Sequence, residues 1–205
     1  MKIRPGITIP LLSATLLAML MAVALAPAET PAKVTKVMGT PISAITVEVY
    51  SDFQCPKCKA LHETWMGPLI KDYVRTGRVY LIQHEFPLPQ HAYARTAACY
   101  ACAADRVGKY GEVCDILFKK QVEWEKDGKV DETACSVLTA AEAAKVRVLA
   151  KDPAILAQVQ KDVELGAQAR VNSTPTVIVS YKGRHYPVDV MASYSSFTRF
   201  LDSLH

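Results

Sequence analysis

The sequence carries no large surplus of one charge, no internal repeat and no cluster of histidines, and each absence closes off a class of function. Its 24 Lys and Arg against 20 Asp and Glu leave a net charge of +4, and Lys2 and Arg4 at the extreme N-terminus supply two of those positive charges. A chain this close to neutral has no broad basic surface, so nucleic acid is not an expected partner. The five histidines are not spaced as ligands, so no histidine-built metal centre is expected. Without repeats or low-complexity stretches after the N-terminal segment, the body of the chain reads as an ordinary globular domain.

The N-terminal segment also lacks something: no charged residue lies between Arg4 and Glu29. Residues 11–26 are a run of Leu, Ala, Met and Val broken only by Ser13 and Thr15. A basic start, a compact apolar stretch and the small residues Ala26 and Ala28 describe a signal peptide over 1–28. Cleavage is expected after Ala28, because a cut after Ala26 would leave Pro27 first. The competing reading is an uncleaved membrane anchor, since a tilted span needs only about 17–25 apolar residues. In either case the remaining residues, about 177, are expected in the periplasm or otherwise outside the cytoplasm, and suffice for one domain with an inserted subdomain. In that oxidising setting the six cysteines (Cys55, Cys58, Cys99, Cys102, Cys114 and Cys135) are potential disulfide partners.

The most informative motif is Cys55-Pro56-Lys57-Cys58, which follows an alternating apolar run and opens a predicted helix. Cysteines at i and i+3 on a first helical turn share one face. The first of them sits where unpaired N–H groups and the helix dipole favour negative charge, so its thiolate is stabilised and the pair can cycle between dithiol and disulfide. Lys57 adds a nearby positive charge that is expected to lower the Cys55 pKa further and make the disulfide a better oxidant. A lone C-x-x-C is also half of a zinc site, which remains the alternative at this stage.

Residues 29–43, rich in Pro, Thr, Lys and Ala, read as an N-terminal surface arm or linker. Ile45, Val47 and Val49 alternate with Thr46, Glu48 and Tyr50 and predict a strand. The motif helix is expected to reach about residue 76, kinked at Gly67-Pro68 and stopped by Gly77. A second strand is predicted over 78–86, ended by the prolines at 87 and 89. Helices are expected at 92–107, 110–124 and 132–149, and another over about 153–169 that ends near Gly166 and Arg170. The apolar run 177–179, a Lys182-Gly183 hairpin turn, a strand over 184–190 and a short helix over about 193–204 close the chain. The order β-α-β, helical insert, α-β-β-α gives an α/β fold: a small mixed sheet with helices on both faces and a helical lobe near the motif.

These features together resemble the thioredoxin fold and, within it, the DsbA-like thiol–disulfide oxidoreductases of bacterial envelopes. The resemblance is carried by Gly39-x-Pro41, the strand 47–50, Ser51-Asp52-Phe53-Gln54 with the motif, and Phe86-Pro87-Leu88. It continues through 94–104 into Gly108-Lys109-Tyr110, then Leu117-Phe118 with Gln121, and Ser173-Thr174-Pro175-Thr176. It implies a thioredoxin-like domain over 44–205 with a helical insertion at about 90–150. It implies that Cys55 is the exposed attacking thiolate and Cys58 the buried resolving partner, with Pro56 and Lys57 tuning the pair. It also implies that Pro175 is a cis-proline facing the motif, with Thr174 beside it positioned to pair with an incoming peptide.

The implied function is an exported oxidoreductase that introduces disulfides into cysteine-containing substrate proteins. Electrons would then pass to an integral-membrane, quinone-linked partner, and the chain itself would need no cofactor and no metal. The alternatives are a reductase or isomerase kept reduced by a membrane partner, and a peptide- or metal-binding module that does not turn over. A monomer is expected, since 29–43 is too short and lacks the heptads of an oligomerising extension. One departure stands out. Relatives commonly place an acidic residue six positions before the first cysteine to serve the buried thiol, and here that position is Val49. Glu48, on the opposite face of the strand, would need a bulge to replace it, so the proton relay is left unassigned.

The second pair, Cys99 and Cys102, lies in an Ala-rich helical stretch. Together with Cys114 and Cys135 it is read as structural disulfides of the lobe, with Cys114–Cys135 joining neighbouring helices. Buried small side chains, a second redox pair and a four-thiol zinc site are the other readings. His84, Glu85 and His91, near the end of the second strand, are weak candidates to influence the thiol pair, with surface or lobe-packing roles expected; Trp65 and Trp124 are expected to anchor the core.

Overall fold

The computed structural model describes residues 1–2 and 33–204. The chain divides into Met1–Ala32 and Lys33–His205, and the fold is that of the second unit. The expected signal peptide, beyond its first two residues, and the beginning of the arm lie outside the described residues. Among the described residues no helix is long and apolar enough to cross a membrane.

Alternation of apolar and polar residues builds the sheet. Strand β2 (Ile45–Ser51) pairs in parallel with β3 (Val79–Glu85) and antiparallel with β4 (Thr176–Tyr181). β5 (Arg184–Val188) extends β4 through a hairpin whose turn residues, Lys182 and Gly183, both have positive φ. The sheet has one strand that the sequence did not reveal. Val37–Met38 form β1, antiparallel to β3, so the order is β1-β3-β2-β4-β5. The segment read as a surface arm therefore closes one sheet edge and buries Lys36 and Met38. Two residues are too few for alternation to register.

Ile45, Val47, Val49, Val79, Leu81, Val177 and Val179 face helix α1 (56–74) and the last helix, α8 (Tyr194–Asp202), whose Phe197 and Leu201 fill the same core. Trp65, the expected anchor, stacks on Phe197 at 4.9 Å. The kink expected at Pro68 takes another form. The run from Pro56–Leu61 widens into π turns at His62–Met66 and Ile70–Val74 on either side of Gly67–Leu69. Wider turns accommodate a residue without an N–H and relieve the clash of its ring with the preceding turn. Gly77, at φ +77°, ends the helix, with Arg78 N–H donating back to the Tyr73 carbonyl.

The insertion holds α2 (Ala94–Arg106), α3 (Tyr110–Lys119), α4 (Gln121–Asp127), α5 (Val130–Cys135) and α6 (Ala140–Leu149). α2 is buried on nearly every side, and its run of alanines and cysteines lets neighbouring helices approach closely. The helix expected over 132–149 is two helices, because Thr139 caps the second through a reciprocal box with Glu142. Trp124 is buried and donates its indole N–H to the Leu117 carbonyl at 2.7 Å. On the opposite sheet face lies α7 (Pro153–Gln168). It ends close to where the sequence placed its end, and Gly166 lies in its last turn, where a Cβ would stand 2.4 Å from the Phe86 ring. The helix stops at Arg170, which takes a left-handed conformation, φ 59°.

Candidate active site

Cys55 caps α1 with an extended backbone (φ −82°, ψ 119°), and Pro56 occupies the start of the helix, where its missing N–H costs nothing. The loop before it is held from three directions. The buried Asp52 carboxylate accepts from the Gln54 and Leu88 amides at 2.7 Å each and meets His91 Nδ1 at 2.8 Å. From the lobe, the buried Gln121 amide donates to the Phe53 carbonyl at 2.7 Å, and the Gln54 side chain accepts from Tyr93 N–H. The motif is thus fixed to sheet and lobe before any ligand arrives. His91 ties down the loop rather than lying idle at the surface.

Cys55 is only 7% exposed and Cys58 is fully buried. Opposite them the Thr174–Pro175 peptide is cis, and the Cys55 thiol donates to the Thr174 carbonyl at 3.2 Å. The two thiols are driven apart electrostatically. A hydrogen bond from Cys58, opposed by burial and helped by the Cys58 N–H, the Thr174 side chain and the Lys57 N–H, holds Cys55 down at about 5. Burial, reinforced by the hydrogen bond and charge of Cys55, pushes Cys58 far up, although Asp52 N–H reaches its sulfur at 3.4 Å. Lys57 helps through its backbone amide. Its side chain, like Pro56, is exposed.

Beneath Cys58 lies a cavity of about 20 Å³ lined in part by Val49, Ser51, Glu85, Tyr110 and Cys114. Glu85, for which a surface or packing role was expected, is 2% exposed and accepts from the Tyr110 hydroxyl at 2.8 Å. Burial lifts its carboxyl to about 7, against the pull of Lys36 and Tyr110. The β2–β3 ladder runs unbroken from Ile45 to Ser51, so no bulge brings Glu48 round to Cys58. Glu48 instead meets His84 Nε2 at 3.1 Å on the far face, and His84 Nδ1 meets Asp162 at 3.2 Å. His84 is buried and stacked on Tyr50, and Lys36 pairs with Asp162 beside it. Asp162 had a signal in the sequence: Ile155, Val159, Asp162 and Gly166 form one buried helical stripe with an acid in it.

The four lobe cysteines are buried thiols, and no pair of them is bridged. The expected Cys114–Cys135 partners are otherwise engaged: Cys135 donates to Asp131 at 3.2 Å, and Cys114 faces the cavity under Cys58. Cys99 and Cys102 pack as small apolar side chains within α2.

A family model described as Thioredoxin matches residues 31–203. Disulfide bond formation protein D of Bacillus subtilis is 25% identical over 156 residues, covering 71% of this chain and 68% of that protein. The Na(+)/H(+) antiporter NhaA 3 of Salinispora tropica is 29% identical over 157 residues, 76% of this chain, and the match spans only 23% of that protein's length. Among solved structures, alpha-DsbA1 of Wolbachia pipientis superposes with a TM-score of 0.66 at 18% identity, covering 85% of this chain and 92% of the other. Oxidised BdbD of Bacillus subtilis gives 0.66 at 22% identity, with 82% and 91% covered. A five-stranded mixed sheet, a lobe inserted between β3 and α7 and a cis-proline facing a helix-capping cysteine agree with the fold of these DsbA-type structures, and the chain belongs to the thioredoxin family.

Proposed function

We propose that this chain is an exported thiol–disulfide oxidoreductase that introduces disulfides into substrate proteins through Cys55 and Cys58. The observation that carries the reading is the opposed tuning of two adjacent sulfurs, one held down at about 5 and the other pushed far up. Such a pair is most comfortable as one thiolate and one thiol, so its disulfide is easily reduced and acts as an oxidant. A substrate thiolate attacks Cys55 Sγ, a mixed disulfide forms, and Cys58 leaves. A second substrate thiolate then attacks the substrate sulfur of that bond, and Cys55 departs as the stable thiolate. Two electrons pass from substrate to enzyme.

The Thr174 backbone, presented beside Cys55 by the cis peptide, is the edge on which an extended substrate pairs. Reoxidation falls to an integral-membrane, quinone-linked partner, and the site of action is the periplasm or an equivalent extracytoplasmic space. The Bacillus subtilis relative named for disulfide bond formation supports this reading, and the charge-poor N-terminal segment supports export. Equilibration with a glutathione buffer tests it. A Cys55–Cys58 potential of about −120 to −180 mV is expected, whereas about −270 mV would make the chain a reductant. A pair that does not exchange at all would leave only a binding module.

A further inference from the structure

The opening of the Cys55–Cys58 bond creates a problem at Cys58. Its sulfur departs as a thiolate inside a pocket where burial strongly disfavours charge. The position from which relatives serve that sulfur holds Val49. In the parallel β2–β3 ladder Val49 lies opposite Gln83, and Ser51 opposite Glu85. Side chains alternate along a strand and match across a pair, so Glu85 projects to the same face as Val49, one strand over. The space between Glu85 and Cys58 is the cavity of about 20 Å³, room for one water.

We propose that Glu85 gives the departing Cys58 thiolate its proton across this cavity and takes it back when the disulfide reforms. The assignment rests on the oxidoreductase reading and adds the group that charges and discharges the buried sulfur. In the forward step the substrate sulfur bonds to Cys55, the Cys55–Cys58 bond breaks, and the electron pair on Cys58 accepts the Glu85 proton, leaving a carboxylate. In the reverse step the carboxylate takes the thiol proton as Cys58 attacks a mixed disulfide at Cys55.

The surroundings keep the carboxyl poised for both directions. Burial raises it, Lys36, Tyr110 and His84 pull it down, and Asp162 pushes it up. From the lobe, Cys102 and Cys99 on α2 and Cys114 on α3 also face it, and burial keeps all three of these thiols protonated. An acid that titrates near neutrality can both donate and accept. The cavity shares His62, Met66, Gln83, Tyr110 and Cys114 with a groove of about 550 Å³ between α1 and α3, and neither Cys55 nor Thr174 lines that groove. The cavity therefore adjoins that groove on a side away from Cys55 and Thr174.

The test is the pH dependence of Cys55–Cys58 reduction by glutathione, followed by fluorescence and corrected for the thiolate fraction of the reagent. The wild-type rate is expected to break near pH 7, falling above it as Glu85 loses its proton. In Glu85→Gln the break disappears and the rate below it drops about a hundredfold. Tyr110→Phe, which removes a hydrogen bond that holds the carboxyl down, moves the break to higher pH. A break that survives Glu85→Gln, or stays in place in Tyr110→Phe, overturns the proton role alone. A wild-type protein that does not exchange with glutathione overturns the oxidoreductase reading and this one with it.

Discussion

Thr174 carries a buried hydroxyl that, among the described residues, has no hydrogen-bond partner while Cys55 is a thiol. An unpaired buried hydroxyl is costly, and the thiolate removes that cost by accepting from it. Together with the Cys58 and Lys57 donors this makes ionised Cys55 the satisfied state of the site. Thr174→Val keeps the shape and deletes the donor. It is expected to raise the Cys55 pKa by about one unit, the worth of one hydrogen bond to a charged group, read from the ultraviolet absorbance of the thiolate. The thiol pair was legible in the sequence because its position on a helix start is local, and Pro175 was reached only through the family resemblance. Glu85 stood out only as a weak candidate, because its importance depends on register with Ser51 and on a cavity closed by Tyr110 from the lobe.

Elements repeat the same division. Strand β2, the hairpin at Lys182-Gly183 and α8 lie close to where alternation, turn chemistry and apolar spacing put them. β1 and the split of the third lobe helix escaped, one for shortness and the other because Thr139 and Glu142 cap a helix inside a stretch of helix-forming residues. Gly166 near the end of α7 has a packing reason that the sequence did not show. Glycine near a helix end usually stops it, but here it removes a side chain so that α7 can lie against Phe86 and Tyr50. Gly166→Ala would place a methyl 2.4 Å from the Phe86 ring. The overpacking is expected to cost about 1–3 kcal/mol despite the better helix propensity of alanine, measured as a lower denaturant midpoint.

At the scale of the whole molecule, the two perturbed acids pull stability in opposite directions with pH. Glu85 titrates higher in the folded chain than in the unfolded one, so it weakens the fold as pH rises from about 4.5 to about 7. Cys55 contributes only when reduced. Its folded pKa is lowered from 9.0 to about 5, so the stabilisation is complete above the unfolded value and disappears as pH falls through the folded one. At pH 7 the reduced fold gains at most about a hundredfold from ionisation, or about 3 kcal/mol, equivalent to about 60 mV of oxidising power. Denaturant melts of both redox forms should therefore differ by up to that amount more at pH 7 than at pH 4, with the reduced form favoured. Repeating the melts in Glu85→Gln removes the Glu85 contribution and leaves that of Cys55. A gap between reduced and oxidised stability that stays constant over this range would mean that Cys55 ionisation does not drive the disulfide towards reduction.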